Sequence, residues 1–318
     1  MKPRLLLTWA LGLVAAGSLA AQTPPPPAPA PSAPAPLDNS TDPGVTPSGF
    51  RIYANRALPD DVEVLRDVEF GRGGTKVLRL NLVRPKQADG APRPVIVYLP
   101  GGGWLRADKD VALGRLAALV QHGYLGVSIQ YRTSAEGVMP AQIEDCKCAI
   151  RFLRAHAAEY RLDPDRIGVW GASAGGHLAA LLGLSADHPE LEGTGGWAEF
   201  SSRVQAVSSW YGPTDLRGMD FPADHPASLL LGGNPRDLPA KAAQASPITY
   251  VHPGAPPFVL VHGAQDPGVP VSESRNLEMA LHQAGVEATL VVVPNGGHGF
   301  ITSAETEQML AFFDRHLK

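Results

Sequence analysis

A serine between glycines is the residue whose surroundings most clearly predict chemistry in this chain. The sequence Gly-Ala-Ser-Ala-Gly at residues 171–175 follows an apolar run that ends at Trp170 and precedes the apolar stretch 176–184. This order predicts a strand, a sharp turn and a helix, and such a turn needs glycines because a side chain would collide with neighbouring backbone. The turn raises the hydroxyl of Ser173 above the sheet. We predict that Ser173 is a nucleophile for acyl transfer rather than part of a glycine-rich turn without a catalytic role.

A serine nucleophile needs a base, and position along the chain separates the ten histidines. In proteins with this strand–turn–helix serine, the acid and then the histidine follow on loops after the last strands. His298 meets this requirement because it follows the last predicted strand, in a loop with glycines on both sides. His177 lies one helical turn beyond the serine and is predicted to be a packing residue, whereas His262 ends a strand in the core pattern. We therefore predict His298 as the base.

Two aspartates compete for the role of orienting that histidine. Asp266 follows the penultimate predicted strand, and Asp215 follows the strand before it. Either residue could instead cap a turn, since aspartate near glycine and proline commonly does so. The chain order of acid and base favours Asp266, and Asp215 is the alternative.

A glycine run at residues 101–103 could supply the donors that acyl transfer requires. The run follows an apolar strand signal, and glycines allow backbone N–H groups to point toward a substrate oxygen. We predict an oxyanion hole made of the N–H groups of Gly102, Gly103 and Ala174. The alternative is a flexible loop without a role. Trp104, which follows the glycines, is predicted to line the substrate site, although a large aromatic residue is as often part of a core.

Strand and helix signals alternate through the rest of the chain, which predicts an α/β protein with a doubly wound, mostly parallel sheet. The first two strands are expected to form an antiparallel hairpin at an edge. The segment 213–251 is long for a connection and is predicted to cover the site as a small cap. The predicted strands are 62–70, 76–83, 94–99, 125–131, 167–170, 204–210, 258–262 and 288–293, and the predicted helices are 109–121, 141–160, 174–184, 272–284 and 305–316.

Residues 1–20 are typical of a signal peptide. Lys2 and Arg4 precede an apolar run at 5–19, and small residues suited to cleavage follow. The run is shorter than the roughly 20 residues that span a bilayer, which disfavours the alternative of an uncleaved anchor. We expect a secreted or periplasmic protein without stable membrane insertion after signal removal.

The segment 21–49 is rich in proline and alanine and is predicted to be an extended linker. A ligand for small proline-recognition domains is the alternative reading of such a composition. The remaining residues, 50–318, have the length of one catalytic domain.

Composition excludes several classes of partner and site. The formal net charge is −4 and no block of like charge is present, so no nucleic-acid partner is expected. The only cysteines, Cys146 and Cys148, are two apart on a predicted helix, a spacing that suits neither a disulfide nor a zinc site. They are expected to be buried thiols. The sequence gives no indication of the oligomeric state.

Taken together, the motifs resemble those of bacterial esterases of the hormone-sensitive-lipase and feruloyl/acetyl-xylan esterase (BD-FAE-like) type. The resemblance implies an α/β-hydrolase fold with about eight strands and helices on both faces. It also implies hydrolysis of carboxylic esters through an acyl-enzyme, without metal or cofactor, by Ser173, Asp266 and His298. The expected substrates are small-molecule or carbohydrate esters, such as short-chain, acetyl or feruloyl esters. The matching segments are 100–104, 171–176, 262–266 and 297–300, supported by 140–145, 163–168 and 210–215.

One residue departs from that family pattern, and other functions remain open at this stage. The family usually has histidine where this chain has Pro100, so a changed oxyanion loop is expected. A prolyl-oligopeptidase-like peptidase usually has an aromatic residue after the serine, where this chain has Ala174. An arylformamidase-like amidase has a closer size. A hydrolase fold that only binds ligands would need a missing triad residue, and each position is filled.

Overall fold

The computed structural model describes residues 58–87, 90–300 and 302–318. The predicted signal peptide and linker, residues 1–49, lie outside the described residues. Within the described ranges, no helix combines the length and the apolar character needed to cross a membrane.

The described residues contain one eight-stranded sheet with the order β1-β2-β4-β3-β5-β6-β7-β8. β1 and β2 form the predicted antiparallel hairpin, β2 pairs antiparallel with β4, and every other pair is parallel. The strands are β1 (Val62–Gly73), β2 (Lys76–Pro85), β3 (Arg93–Leu99), β4 (Leu125–Ile129), β5 (Leu162–Ala172), β6 (Ala206–Trp210), β7 (Phe258–Gly263) and β8 (Ala288–Val293).

Helices cover both faces of this sheet, as predicted. Adjacent residues of one strand therefore enter different cores: Val97 belongs to the core that includes residues of α2, α4 and α7, and Tyr98 belongs to the core that includes residues of α1 and α8. The continuous apolar run of β3 is buried along its length because both of its faces are covered. The helices are α1 (Leu113–Gln121), α2 (Ala141–Ala155), α3 (Ala157–Tyr160), α4 (Ala174–Leu184), α5 (Pro226–Leu231), α6 (Pro239–Gln244), α7 (Ser272–Gln283) and α8 (Ser303–Leu317).

Several predicted boundaries differ in the structure, and β5, for example, begins at Leu162 rather than at residue 167. The helix predicted over 141–160 is divided into α2 and α3, because His156 leaves helical geometry with φ −108° and ψ 20° and its Nδ1 lies 2.9 Å from the carbonyl oxygen of Phe152. The helix predicted from residue 109 begins as a 3₁₀ turn, Lys109–Ala112, which the side chain of Asp108 caps.

Parallel strands bring their carboxyl ends to one edge of the sheet, and the predicted site residues follow those ends. The glycine run follows β3, Ser173 lies between β5 and α4, and Asp266 and His298 follow β7 and β8. The connection 213–251, called the cap segment below, follows β6 and contains α5 and α6. The fold therefore collects these segments in one place.

Candidate active site

Ser173 occupies a sharp turn between β5 and α4. Its backbone has φ +57° and ψ −123°, a combination that L-residues rarely adopt. Two glycines make this turn possible by close approach: a Cβ at Gly171 would lie 2.1 Å from the carbonyl oxygen of Gly175, and a Cβ at Gly175 would lie 1.9 Å from that of Leu99. The turn has the predicted geometry and exposes the hydroxyl at the carboxyl edge of the sheet.

A continuous chain of hydrogen bonds joins the predicted nucleophile, base and acid. Ser173 Oγ lies 2.9 Å from Nε2 of His298, and Nδ1 of His298 lies 2.7 Å from Oδ2 of Asp266. An ionised carboxylate can only accept at Nδ1, so Nδ1 carries a proton and Nε2 is left to accept the hydroxyl proton of the serine. The arrangement is suited to removing a proton from Ser173.

Asp266 is held in its charged form although its side chain has no exposed surface. Burial raises its pKa, but hydrogen bonds from His262, His298 and the N–H of Val269 outweigh burial and hold the pKa well below 3.8. The N–H groups of Gly268 and Val269 both lie 2.8 Å from Oδ1. The carboxylate can therefore stabilise a positive charge that develops on His298.

The alternative acid, Asp215, has a different partner. Its Oδ1 and Oδ2 accept hydrogen bonds of 2.8 and 2.7 Å from the guanidinium of Arg217, two residues along the chain. The bonds from Arg217 hold the pKa of Asp215 below its ordinary value. The structure therefore brings Asp266, and not Asp215, to His298.

Two residues around the histidine were not predicted from sequence to contact the predicted acid and base. His262, which is fully buried, has Nε2 2.8 Å from the carbonyl oxygen of Val269 and 3.5 Å from Oδ2 of Asp266. Tyr211, also fully buried, packs edge-on against His298 with ring centroids 5.0 Å apart. The only sequence signal for their proximity to the site was their position: His262 precedes Asp266 by four residues, and Tyr211 directly follows β6.

The glycine run lies directly against the serine turn. A Cβ at Gly101 would lie 2.7 Å from the carbonyl oxygen of Ala172 and 3.5 Å from Cβ of Ser173. Gly102 and Gly103 have φ +124° and +63°, values that favour glycine. Ala174 begins α4, where the first N–H groups have no partner within the helix. The three predicted donors therefore belong to two segments that meet at Ser173.

A tyrosine contacts the start of this loop at Pro100. The hydroxyl of Tyr131 donates a 2.7 Å hydrogen bond to the carbonyl oxygen of Pro100 and lies 3.4 Å from that of Arg106. The start of the loop is thus fixed by a fully buried side chain. Proline can occupy the first position because the bond is made by its carbonyl, which every residue has.

Trp104 lies beneath the loop, with 4% of its surface exposed. Its indole N–H lies 3.2 Å from Nδ1 of His177, and the two rings meet edge-on with centroids 5.1 Å apart. Contact of Trp104 with a substrate stays a prediction.

The part of the chain that the structure describes shows no arrangement suited to a metal. Over residues 58–87, 90–300 and 302–318, no group of three or more His, Cys, Asp or Glu side chains could hold an ion. Cys146 and Cys148 lie buried in α2 as free thiols. Burial raises the pKa of the Cys148 thiol to about 11, so neither its charge state nor its place suits nucleophilic chemistry.

Comparison with known proteins shows the family to which the chain belongs. Residues 80–281, more than half of the chain, match the model of the BD-FAE family. The chain belongs to the BD-FAE family. It is 37% identical over 244 residues to Esterase LipQ of Mycobacterium tuberculosis, in a match that covers 75% of this chain. The match covers 58% of LipQ, so the chain spans little more than half of that relative's length.

Solved structures extend the likeness to the fold. A truncated carbohydrate esterase from gut microbiota has a TM-score of 0.72 and 32% identity, with 81% of this chain and 98% of that chain covered. Esterase 2 of the Planctomycetes species Thermogutta terrifontis, in a propionate-bound structure, has a TM-score of 0.66 and 26% identity, with 80% and 93% covered. The predicted α/β-hydrolase fold and the predicted membership of an esterase family are both confirmed.

Proposed function

We propose that this protein is a serine carboxylic ester hydrolase in which Ser173 is the nucleophile, His298 the base and Asp266 the orienting acid. The observation that carries the proposal is the chain of hydrogen bonds from the serine hydroxyl through the imidazole to a buried, charged carboxylate. The strained turn at Ser173 supports it, because a turn of this kind presents a hydroxyl to substrate.

The reaction follows from the positions of the atoms. Ser173 Oγ attacks the ester carbonyl while Nε2 of His298 takes its proton, and the charge on the carbonyl oxygen is met by the N–H groups of Gly102, Gly103 and Ala174. His298 then gives the proton to the departing alcohol, and an acyl group remains on the serine. Water attacks the acyl carbon, His298 takes the water's proton and returns it to Oγ, and the carboxylic acid leaves. Asp266 keeps the imidazole oriented and stabilises it while it is charged.

The substrates we propose are short-chain esters or esters carried by carbohydrates, such as acetyl and feruloyl esters. Two structural relatives support this class, since one is a carbohydrate esterase and the other was solved with a short carboxylate bound. We further propose that the protein is exported, because the basic, apolar and small-residue pattern of residues 1–20 is that of a cleaved signal.

A labelling and turnover experiment tests the proposal. The wild-type protein is expected to hydrolyse p-nitrophenyl acetate and to react covalently with a fluorophosphonate at Ser173, and Ser173→Ala is expected to lose both while keeping the same thermal unfolding temperature. A dipeptide amide and an aryl formamide assayed in parallel separate an esterase from a peptidase or an amidase. Faster turnover of either amide than of the ester, or full labelling of Ser173→Ala, would contradict the proposal.

A further inference from the structure

His177 lies between the two structures that border the serine turn, the glycine loop and the cap segment. It belongs to α4, one helical turn after Ser173, and its side chain has no exposed surface. The sequence predicted only a packing role for it, yet both of its ring nitrogens are used in specific contacts. Burial requires each ring nitrogen to have a hydrogen-bond partner, and here the two partners lie on two different segments.

The partners of His177 fix its protonation state. The indole N–H of Trp104 can only donate, so Nδ1 of His177 accepts that bond at 3.2 Å. The carbonyl of Ala245 can only accept, so Nε2 carries the proton and donates at 2.6 Å. Burial lowers the pKa of His177 to about 4, which keeps the ring neutral and this pattern intact at neutral pH.

The contact with Trp104 acts on the glycine loop. Trp104 directly follows Gly103 and has φ +58°, which a bulky residue adopts only when its surroundings hold it. Its carbonyl accepts a 2.8 Å hydrogen bond from the N–H of Ser134, and its indole is fixed by His177. The orientation of the peptide groups at Gly102 and Gly103 therefore depends on the anchored indole.

The contact with Ala245 acts on the cap segment. Ala245 lies at the carboxyl end of α6, and at the other side of the cap Pro226 begins α5. Pro226 packs against the glycine loop, since a Cβ at Gly103 would lie 3.4 Å from the proline Cβ. The cap thus meets the loop directly at Pro226 and indirectly through His177.

We propose that His177 is a positioning residue that couples the cap segment to the oxyanion loop. Each ring nitrogen holds one of the two segments, so the placement of the Gly102 and Gly103 N–H groups depends on how the cap is seated on α4. The inference rests on the proposed function and adds to it a link between the segment predicted to cover the site and the N–H groups predicted to stabilise the transition state.

Three substitutions at His177 separate the two contacts. Asparagine can place its amide oxygen where Nδ1 lies and keep the bond to Trp104, whereas glutamine can place its amide nitrogen where Nε2 lies and keep the bond to Ala245. Leucine keeps neither. The matched control is His282→Leu in α7, because Nε2 of His282 also lies 2.8 Å from a carbonyl oxygen, that of Ala288, away from the site.

The measured quantities are kcat and KM for p-nitrophenyl acetate, with kcat expressed per site labelled by fluorophosphonate, and the thermal unfolding temperature. His177→Leu and His177→Gln are expected to lower kcat about 10- to 100-fold, as small displacements of catalytic groups do, with KM changed less than about threefold. His177→Asn keeps the bond to Trp104 but loses the bond to Ala245, so its kcat is expected to lie between those of His177→Gln and the wild type, because the loop is anchored but no longer held to the cap. The control is expected to keep kcat per labelled site. Trp104→Phe removes the same bond from its other end and is expected to match His177→Gln.

The outcomes distinguish this inference from the proposed function. If the wild type is neither labelled nor active on the ester, the proposed function and the coupling both fail. If the wild type is active but the His177 variants change only the unfolding temperature, or if asparagine is as impaired as leucine, His177 is a structural core residue and the coupling is wrong. If asparagine keeps the kcat of the wild type, the contact with Ala245 is not needed and the coupling to the cap is wrong. Where His177→Leu does not fold, the kcat of asparagine relative to glutamine and to the wild type decides the matter.

Discussion

Two groups of polar side chains in the fold differ in whether their hydrogen-bonding groups are all taken up by the protein itself. One is the site around Ser173, at the carboxyl ends of the strands. The other, called the cation cluster below, consists of Lys147, Arg151 and Arg154 on α2 and faces the segment 185–203, which connects the end of α4 to the start of β6. Both groups carry the cost of removing charge from water, and only one has the arrangement of a catalytic site.

The charged groups of the cation cluster are paired with carboxylate and carbonyl groups of the protein itself. Lys147, fully buried, lies 2.5 Å from the carbonyl oxygen of Ser185 and 2.7 Å from Glu192. Arg151 also pairs with Glu192, and Arg154 donates to the carbonyls of Ser201 and Arg203. These bonds fix a long irregular segment whose backbone carbonyls would otherwise lack partners.

The site around Ser173 uses its polar groups differently. The side chain of Asp266 is fully buried, but that of His298 is 21% exposed and reaches the hydroxyl of Ser173. Its hydrogen bonds form a chain that ends at a solvent-accessible group, whereas those of the cation cluster end on other groups of the protein. The comparison shows that burial and charge alone do not identify a functional site. A better indicator is a polar group that substrate can reach and that buried partners hold in place.

Asp266→Asn should have the largest effect on activity and would sharpen this contrast. An amide can donate to Nδ1 of His298, which would set the wrong tautomer and leave Nε2 without a free lone pair, so kcat should fall on the order of 10⁴-fold. Asp215→Asn is the control, because its carboxylate pairs with Arg217, and it should change kcat by less than about tenfold. Steady-state kinetics on the labelled fraction of each protein measures the difference. A larger loss for Asp215→Asn would move the acid to the cap segment.

Gly102→Ala should have the next largest effect. The substitution forces alanine into φ +124° and brings its Cβ to 3.0 Å from the carbonyl oxygen of Arg106, so the loop must shift. Loss of one oxyanion donor typically lowers kcat about 10²- to 10³-fold. Pro100→His is the matched variant, and because Tyr131 still holds the carbonyl of residue 100, kcat should change by less than about tenfold. Equal losses in the two variants would contradict the predicted donors.

Glu192→Gln should affect stability and leave the chemistry alone. The change removes the carboxylate that Lys147 and Arg151 share, and breaking a buried ion pair by removing one partner costs about 3 kcal/mol when, as here, that partner is partly exposed. Urea denaturation measures the loss, and kcat per labelled site should stay within about twofold of the wild type. A large loss of kcat would mean that the cation cluster and the site are coupled, which would break the comparison.

The features that the sequence predicts depend on local patterns and chain order, whereas those it misses depend on contacts between residues far apart in the sequence. The strands and the positions of Ser173, Asp266 and His298 follow from local patterns and from chain order, which the alternation of strand and helix preserves. The pairing of Lys147 with Glu192 joins residues 45 apart with no special spacing, so only the folded arrangement reveals it.

The polar role of His177 was missed for the same reason. Its sequence position shows that it lies on the helix after Ser173, but its partners Trp104 and Ala245 are 73 and 68 residues away. The break between α2 and α3 depends on a contact of one side chain, His156, with the backbone of its own helix. Local propensity alone does not carry this information.

The smallest predicted effect concerns pH and tests whether His177 is neutral in the native protein. Its native pKa is about 4 and its ordinary value is 6.5, so between these values the unfolded chain binds a proton that the folded protein does not. The stability that His177 contributes is therefore complete above pH 6.5 and is lost as the pH falls toward 4. Between pH 7.5 and 5 the loss should be about 2 kcal/mol, from one proton over the relevant range.

Comparison with a variant that cannot titrate isolates this contribution from every other group. When the pH falls from 7.5 to 5, the free energy of unfolding of the wild type should fall by about 2 kcal/mol more than that of His177→Asn. His177→Gln should show the same shift whatever its stability at pH 7.5, because neither amide binds a proton in this range. A difference that does not change with pH would mean that the folded protein protonates His177 as readily as the unfolded chain. In that case the ring could not hold both Trp104 and Ala245 in the way the neutral tautomer does.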